Sequence, residues 1–281
     1  MARLPFAFRS ATPISLDDAL QRFPSLASDH AAPGTSEKYK LISTADVLRG
    51  LTNEGLAIHA VQSTRARDVN RLPFVKHAAR LRIPGALSVN GTFCEVVVQN
   101  AHDGRAAYRV MAGLYRVVCA NGMVAGSDFS GISVRHSGDV VTNVARATFD
   151  IVSRFGAVTS QIAAMQGTTL DGLAQETLAA SALLARYGED ALRLGFTPRQ
   201  MLIAHRPEDA GSDLWSVFNR VQENIIRGGS VTHRANAEGR VRQHTMRPVT
   251  AIDADTSINR DLWDAAAKLI GKPLPADAIA A

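Results

Sequence analysis

Cysteine is nearly absent: Cys94 and Cys119 are the whole complement. Two thiols cannot staple a disulfide framework, and no Cys-x-x-Cys pair is available for a structural zinc site. The eight histidines are scattered, with no His-Glu-x-x-His motif, so no metal ligand set is expected. The single Gly-Lys step, Gly271-Lys272, runs into Pro273, which excludes a phosphate-binding P-loop. No Gly-x-Gly-x-x-Gly follows a predicted strand, which argues against a dinucleotide fold. No apolar run approaches the roughly 20 residues that span a bilayer. The N-terminal stretch MARLPFAFRSATPISLDD lacks a signal-peptide apolar segment, so the expected setting is the cytoplasm, with reduced thiols and no membrane partner. Aromatics are only 6% of residues, so the core is expected to be mainly aliphatic.

What is abundant is arginine, unevenly placed. The chain is 46% hydrophobic and 20% charged, a globular composition, with a net charge of +5. Between Gly55 and His136, ten Lys and Arg face four acids; Arg227 to Arg247 holds five arginines and one acid, Glu238. Arginine suits bidentate phosphate contact and stacking on bases. A solvated basic surface is the plain alternative.

The hydrophobic pattern divides the chain into residues 1–36, an N-terminal arm or linker; 37–170, an α+β core with an antiparallel sheet and a long helix; and 171–281, a helical C-terminal region with a basic Gly/Arg loop. Within the arm, SLDDALQRF reads as a short helix capped by Ser15. EKYKLIST reads as a strand. Ser43 then caps a helix that Gly55 ends, and LAIHAVQST reads as the next strand. VKHAARLRI alternates Val75, His77, Ala79, Leu81 and Ile83 with Lys76, Ala78, Arg80 and Arg82. That period of two predicts a half-buried strand with a basic outer face. TFCEVVVQNA, an Asp103-Gly104 turn, AAYRVMAGLYRVVCA with a bend or bulge at Gly113, and GISVRHSG continue an antiparallel meander. One long helix over 140–165 capped by Asp139, a stretch breaking near Gly188, a helix stopped by Gly228-Gly229, and a last helix through Trp263 follow. The fold class is α+β: a central antiparallel β-meander, then a mostly helical C-terminal half.

No catalytic motif is present. Cys119 would need a base such as His102 or His136; as a strand-end residue before an Asn121-Gly122 turn, it reads as a small packed hydrophobe. Asp253 and Asp255 read as solvated loop acids rather than metal ligands. No cofactor is called for. The remaining signal is a set of cations that would track a phosphate backbone: Lys76, Arg80, Arg82, Arg105 and Arg109 on the sheet, and Arg227, Arg234, Arg240 and Arg242 on the glycine-rich loop. Trp215, Asn219 and Glu223 share one side of a helix and are expected to brace it.

The stretches VVVQNAHDGRAAYRVMAGLYRVVCANGMV, DLWSVFNRVQENIIRGG and NRDLWDAA, in that order, resemble the uncharacterised phage/plasmid-like family of mobile genetic elements. The resemblance covers about Tyr39 to Ile270. That family has no established activity; the resemblance implies a mobile-element protein of a bacterial cytoplasm. More distantly, the strands followed by a long helix are similar to single-strand annealing recombinases of the Red-beta and Rad type, which form rings and hold single strands in a basic groove. This is an analogy of fold. The reading is therefore a non-enzymatic protein that binds single-stranded DNA, with strand annealing and a ring-shaped homo-oligomer as its extension. The alternatives are a protein-interaction factor acting against host defence, and a small enzyme using His102, Asp103 and Cys119.

Overall fold

The computed structural model describes residues 7–37, 39–85, 88–89, 91–116, 121–125, 132–134, 140–235 and 241–270. The chain forms two compact units, residues 1–124 with 129–155, and residues 125–128 with 156–281. The first is α+β. Its elements are β1 (Ala7–Ile14), α1 (Leu16–Arg22), α2 (Pro24–Ala27), α3 (Thr44–Asn53), β2 (Ala57–Ser63), β3 (His77–Arg82), β4 (Ser88–Val89), β5 (Thr92–Asn100), β6 (Tyr108–Arg116), β7 (Asn121–Val124), β8 (Ile132–Val134) and α4 (Val140–Ser153). The sheet order is β1-β2-β3-β5-β6-β7, every pairing antiparallel, with β4 against β5 and β8 against β6.

The meander follows from alternation. Leu81, Val96, Val98, Tyr108, Val110, Ala112 and Leu114 are buried, as are Val47, Leu48 and Leu51 of α3 and Val144, Ala147 and Ile151 of α4. Helix α4 lies against β5, β6 and β8, and α3 against α4. His77 Nε2 meets Thr44 Oγ1 at 2.9 Å, and Asn100 Nδ2 donates to Ile42 O at 3.0 Å, tying α3 and the chain before it to this face. Ser15 and Ser43 cap their helices as expected, accepting from Asp18 N and Asp46 N at 3.1 and 3.2 Å. Gly104 turns the β5–β6 hairpin at φ +72°.

Several expectations fail here. Residues 1–36 are not simply an arm: β1 pairs with β2, and Ala19, Phe23 and Leu26 are buried. Residues 39–43 form no strand: Tyr39 N donates to Ser36 O and Ile42 O accepts from the Asn100 side chain, and neither pairs with a neighbouring strand. Asn121-Gly122 is not a turn; both residues start β7, opposite Arg116 and Tyr115. Gly113 makes no bulge, since its register with Glu95 is unbroken between Ala112 and Leu114. The expected long helix is two: a turn at Arg154, with its N–H on Ile151 O at 3.2 Å, separates α4 from α5 (Phe155–Gln166). The two units part there, ahead of the expected boundary at 170. Cys119 and Asp139 lie outside the described residues.

The second unit is mostly helical. It contains most of α5, then α6 (Gly172–Tyr187), α7 (Asp190–Leu194), α8 (Pro198–Met201), α9 (Leu214–Arg227), the hairpin β9 (Val231–Ala235) and β10 (Val241–Thr245), and α10 (Ile252–Leu269). Every residue from Leu214 to Ile225 is buried, so α9 is the central rod. Its apolar side carries Trp215, stacked on Phe218 with ring centroids 5.6 Å apart, and both meet Trp263 edge-on. Its polar side is extensively engaged: Gln222 donates to Asn259 at 3.0 Å, Asn224 to Met201 O and Ile203 O, and Glu223 bridges Arg206 and Arg227. A buried polar side is tolerated only when partnered in this way. Trp215, Asn219, which donates to Trp215 O at 2.7 Å, and Glu223 therefore each have a partner within the fold. Asp253 and Asp255 sit in the first turn of α10, where carboxylates favour the helix N-terminus.

Candidate nucleic-acid interface

The nine sequence-predicted cations fall into three classes. The first is buried. Arg80 and Arg82 project from the same face of β3, as alternation predicts, but that face does not meet water. Each arginine is 7% exposed, and Glu95 of β5 is wholly buried between them. Arg80 Nη1 donates to Glu95 Oε2 at 3.2 Å and to Met123 O at 3.0 Å; Arg82 Nε donates to Glu95 Oε1 at 2.8 Å. Arg82 also lies 3.9 Å from the centroid of the Tyr115 ring, within cation–π range. The sheet is curled over this face: Arg9 of β1 comes within 5.9 Å of the same ring on β6. Those strands are four steps apart, about 19 Å if the sheet were flat.

Gly113 explains how the cluster fits. A Cβ there would stand 2.5 Å from Val97 Cγ2 and 3.0 Å from Arg80 Nη1, so a bare backbone gives the guanidinium its room. Burial, and then the charge of Arg82, lowers the pKa of neighbouring His59, so its ring stays neutral and adds no third cation. The expectation of an outward basic row at Arg80 and Arg82 is thus corrected. The residue that sequence reasoning missed is Glu95, and its signal was available: one acid inside an otherwise apolar strand, TFCEVVVQ.

The second class is exposed or half-exposed on the first unit. Arg105 lies in the β5–β6 turn, Arg109 on β6, and Lys76, half-buried, just before β3. The third class is on the second unit. Arg227 is half-exposed and paired with Glu223 at 2.7 Å. The glycine-rich stretch expected as a loop is a hairpin, in which the register opposes Arg242 to Arg234, Gln243 to His233 and His244 to Thr232. Arg242 is exposed, and Arg240 lies outside the described residues. Gly228 begins the hairpin at φ +71°, with its Cβ position 2.4 Å from Met246 O, so only glycine suits that close approach. Thr232 Oγ1 donates to Leu194 O at 2.7 Å, which anchors the base of β9.

At that base is a cleft of about 460 Å³ whose lining includes Arg186, Tyr187, Phe196, Gln243, His244 and Arg247. Arg186 donates to Ile225 O and Arg247 O. Tyr187 stacks on Phe196 with centroids 5.5 Å apart and planes 19° apart. Sequence reasoning singled out none of these cleft residues except as members of longer runs; they meet only through the fold.

The proposed nucleophile set does not assemble in what is described. His102 is fully buried, its ring 5.2 Å from that of His77, and Cys119 is outside the described residues. Burial pushes the thiol of Cys94 up to about 12. Among the described residues no cluster of His, Cys, Asp and Glu could hold a metal ion. No helix among them is long and apolar enough to cross a membrane.

A family model described as a domain of unknown function, DUF932, matches residues 34–263. Two Escherichia coli (strain K12) proteins, the UPF0380 proteins YafZ and YfjQ, are each 37% identical over 276 residues, covering 96% of this chain and 98% of each relative. No solved structure matches.

Proposed function

The chain belongs to the DUF932 family, and on that premise we propose that it binds single-stranded DNA without sequence preference through the β9–β10 hairpin of its second unit. One observation carries this. β9 and β10 pair as a two-stranded hairpin that carries the exposed Arg242, with the exposed Arg247 two residues beyond its end. A two-stranded hairpin is marginal on its own, so cations unpaired on its surface do little for stability and suit a polyanion. Arg242 and Arg247 are exposed and make no ion pair among the described residues. Arg105, Arg109 and Lys76 offer a secondary surface on the first unit. Strand annealing, with a ring-shaped homo-oligomer, is the extension of the same reading, set in the cytoplasm of a bacterium carrying a mobile element.

The test is fluorescence anisotropy with labelled single- and double-stranded oligonucleotides. Four arginines, at positions 234, 240, 242 and 247, would displace about four counterions from a single strand. A slope of about −0.7 per contact makes affinity fall about 50-fold for a fourfold rise in salt. Single strands bound more tightly than duplex, with that salt response, support the reading; no binding at about 50 mM salt contradicts it.

A second reading, a protein partner, is favoured by helix α6. Leu173 and Leu184 are 77% and 58% exposed, and their spacing places them on one stripe of the helix with Thr177 and Ala180 between. Sedimentation of the wild type and of Leu173→Glu/Leu184→Glu tests this. Self-association lost in the variant supports it; a wild-type monomer that also captures no protein contradicts it.

A further inference from the structure

The cleft beside the hairpin has features that strand binding in general does not require. Its volume, about 460 Å³, falls in the range of small-ligand sites. Among the described residues lining it none is acidic, while two are arginines and one a histidine. Arg186 is held in place by two backbone carbonyls, those of Ile225 and Arg247. The Arg247 side chain is exposed and makes no ion pair among the described residues. Beside Arg186 is an aromatic wall, in which Tyr187 is half-exposed and Phe196 is buried behind it. The Tyr187 ring stacks on Phe196, and the Arg186 guanidinium stands 4.9 Å from its centroid. Burial raises the Tyr187 pKa, so the phenol stays neutral beside an anion. Gln243 brings a side-chain amide, which both donates and accepts, from β10.

We propose that this cleft binds one nucleoside phosphate unit, with the base against the half-exposed Tyr187 side of that wall and the phosphate on Arg247. Apolar planar surface and cations in one concavity select a ligand that is both planar and anionic. An amide tolerates either polarity on the base edge, so Gln243 confers no preference among bases. Inorganic phosphate would leave the wall unused, and a nucleoside would leave Arg247 unused. The nucleotide has two possible sources: a residue of a strand lying along the hairpin, which rests on the function proposed above, or a free mononucleotide, which does not.

Full-length protein separates these. Saturation-transfer NMR measures binding of thymidine 5′-monophosphate, thymidine and inorganic phosphate; anisotropy measures a labelled oligothymidylate, with the monophosphate as competitor. The expected result is that the monophosphate binds more tightly than either fragment and competes with the oligonucleotide. Arg247→Gln should weaken the monophosphate about tenfold, as for loss of a hydrogen bond to a charged group. Gln243→Ala and Arg247→Gln change exposed side chains and spare folding, so Tyr187→Leu is interpreted only if its thermal midpoint is near wild type. Monophosphate binding without oligonucleotide binding keeps the cleft and overturns the strand-binding function. Oligonucleotide binding that Arg242→Glu weakens, with no monophosphate bound, overturns the cleft and keeps the function. Binding of neither overturns both.

Discussion

Arg80-Leu81-Arg82 and Arg240-Val241-Arg242 are the same pattern, two arginines flanking an aliphatic residue, yet they meet different surroundings. The first pair is buried on a curled eight-stranded sheet, neutralised in part by Glu95 and held by Met123 O and the Tyr115 ring. Of the second, Arg242 lies on a two-stranded hairpin, where it is exposed and opposed in register by Arg234. Period two identifies which residues share a face; it does not say what lies against that face. The neighbouring strand decides, through whether it carries a carboxylate at the matching position.

Glu95 is the residue on which the buried arginine pair depends most. Glu95→Gln leaves two buried guanidiniums without a counter-charge and should cost about 3–5 kcal/mol of stability, read by urea denaturation. Converting all three together, Arg80→Met, Arg82→Met and Glu95→Leu, should recover most of that loss, because apolar replacements of buried ion clusters are often neutral or better. A near-wild-type Glu95→Gln protein would mean the cluster is solvated after all. Gly113→Ala should cost up to about 3 kcal/mol by overpacking Val97 and displacing Arg80 from its place beside Glu95.

A pH response sharpens the contrast between a buried unit and an exposed hairpin. Burial, with His102 adjacent, holds the pKa of His77 down to about 3 against an ordinary 6.5. Between those values the unfolded chain binds a proton that the folded protein refuses. Stability is therefore full above about pH 6.5 and declines as pH falls, by about 2 kcal/mol between pH 7 and 5. His77→Gln should flatten that slope in urea titrations at the two pH values; an unchanged slope would assign the response elsewhere. Glu223 adds to acid sensitivity lower down. Burial raises its pKa, but the hydrogen bonds from Arg206 and the charges of Arg227 and Arg206 outweigh that and leave it below the usual carboxylate range. Its contribution is present above about pH 4.5 and is lost as pH falls through its depressed folded value. Smallest in stability is Arg242→Gln, expected to move the denaturation midpoint by less than about 0.5 kcal/mol.

Local signals were the most legible part of the sequence. Ser15 and Ser43 as caps, Gly55 and Gly228 as stops, and the alternation of β3 are set by residues close in the chain. The α+β order followed from them. What sequence could not supply was the third dimension. Lys40 to Ile42 have strand composition but no strand to pair with. Gly113 looks like a bulge until Arg80, 33 positions earlier, is seen to need its space. The candidate site divides the same way. Arg242 was visible as a cation in a basic run, whereas Tyr187, Phe196 and Arg247 become neighbours only when α6 and the hairpin pack together. Glu95 was visible yet misplaced, because a lone acid declares its partner only after the strand order is known.

The most direct measurement is anisotropy of a labelled single-stranded oligonucleotide titrated with wild type and Arg242→Glu, each shown to be folded by its thermal midpoint. Arg242→Glu is expected to weaken binding about tenfold and to lower the salt slope by about 0.7 or more. Equal affinity and equal salt slope in the two proteins would place any binding away from the hairpin and contradict the proposed function.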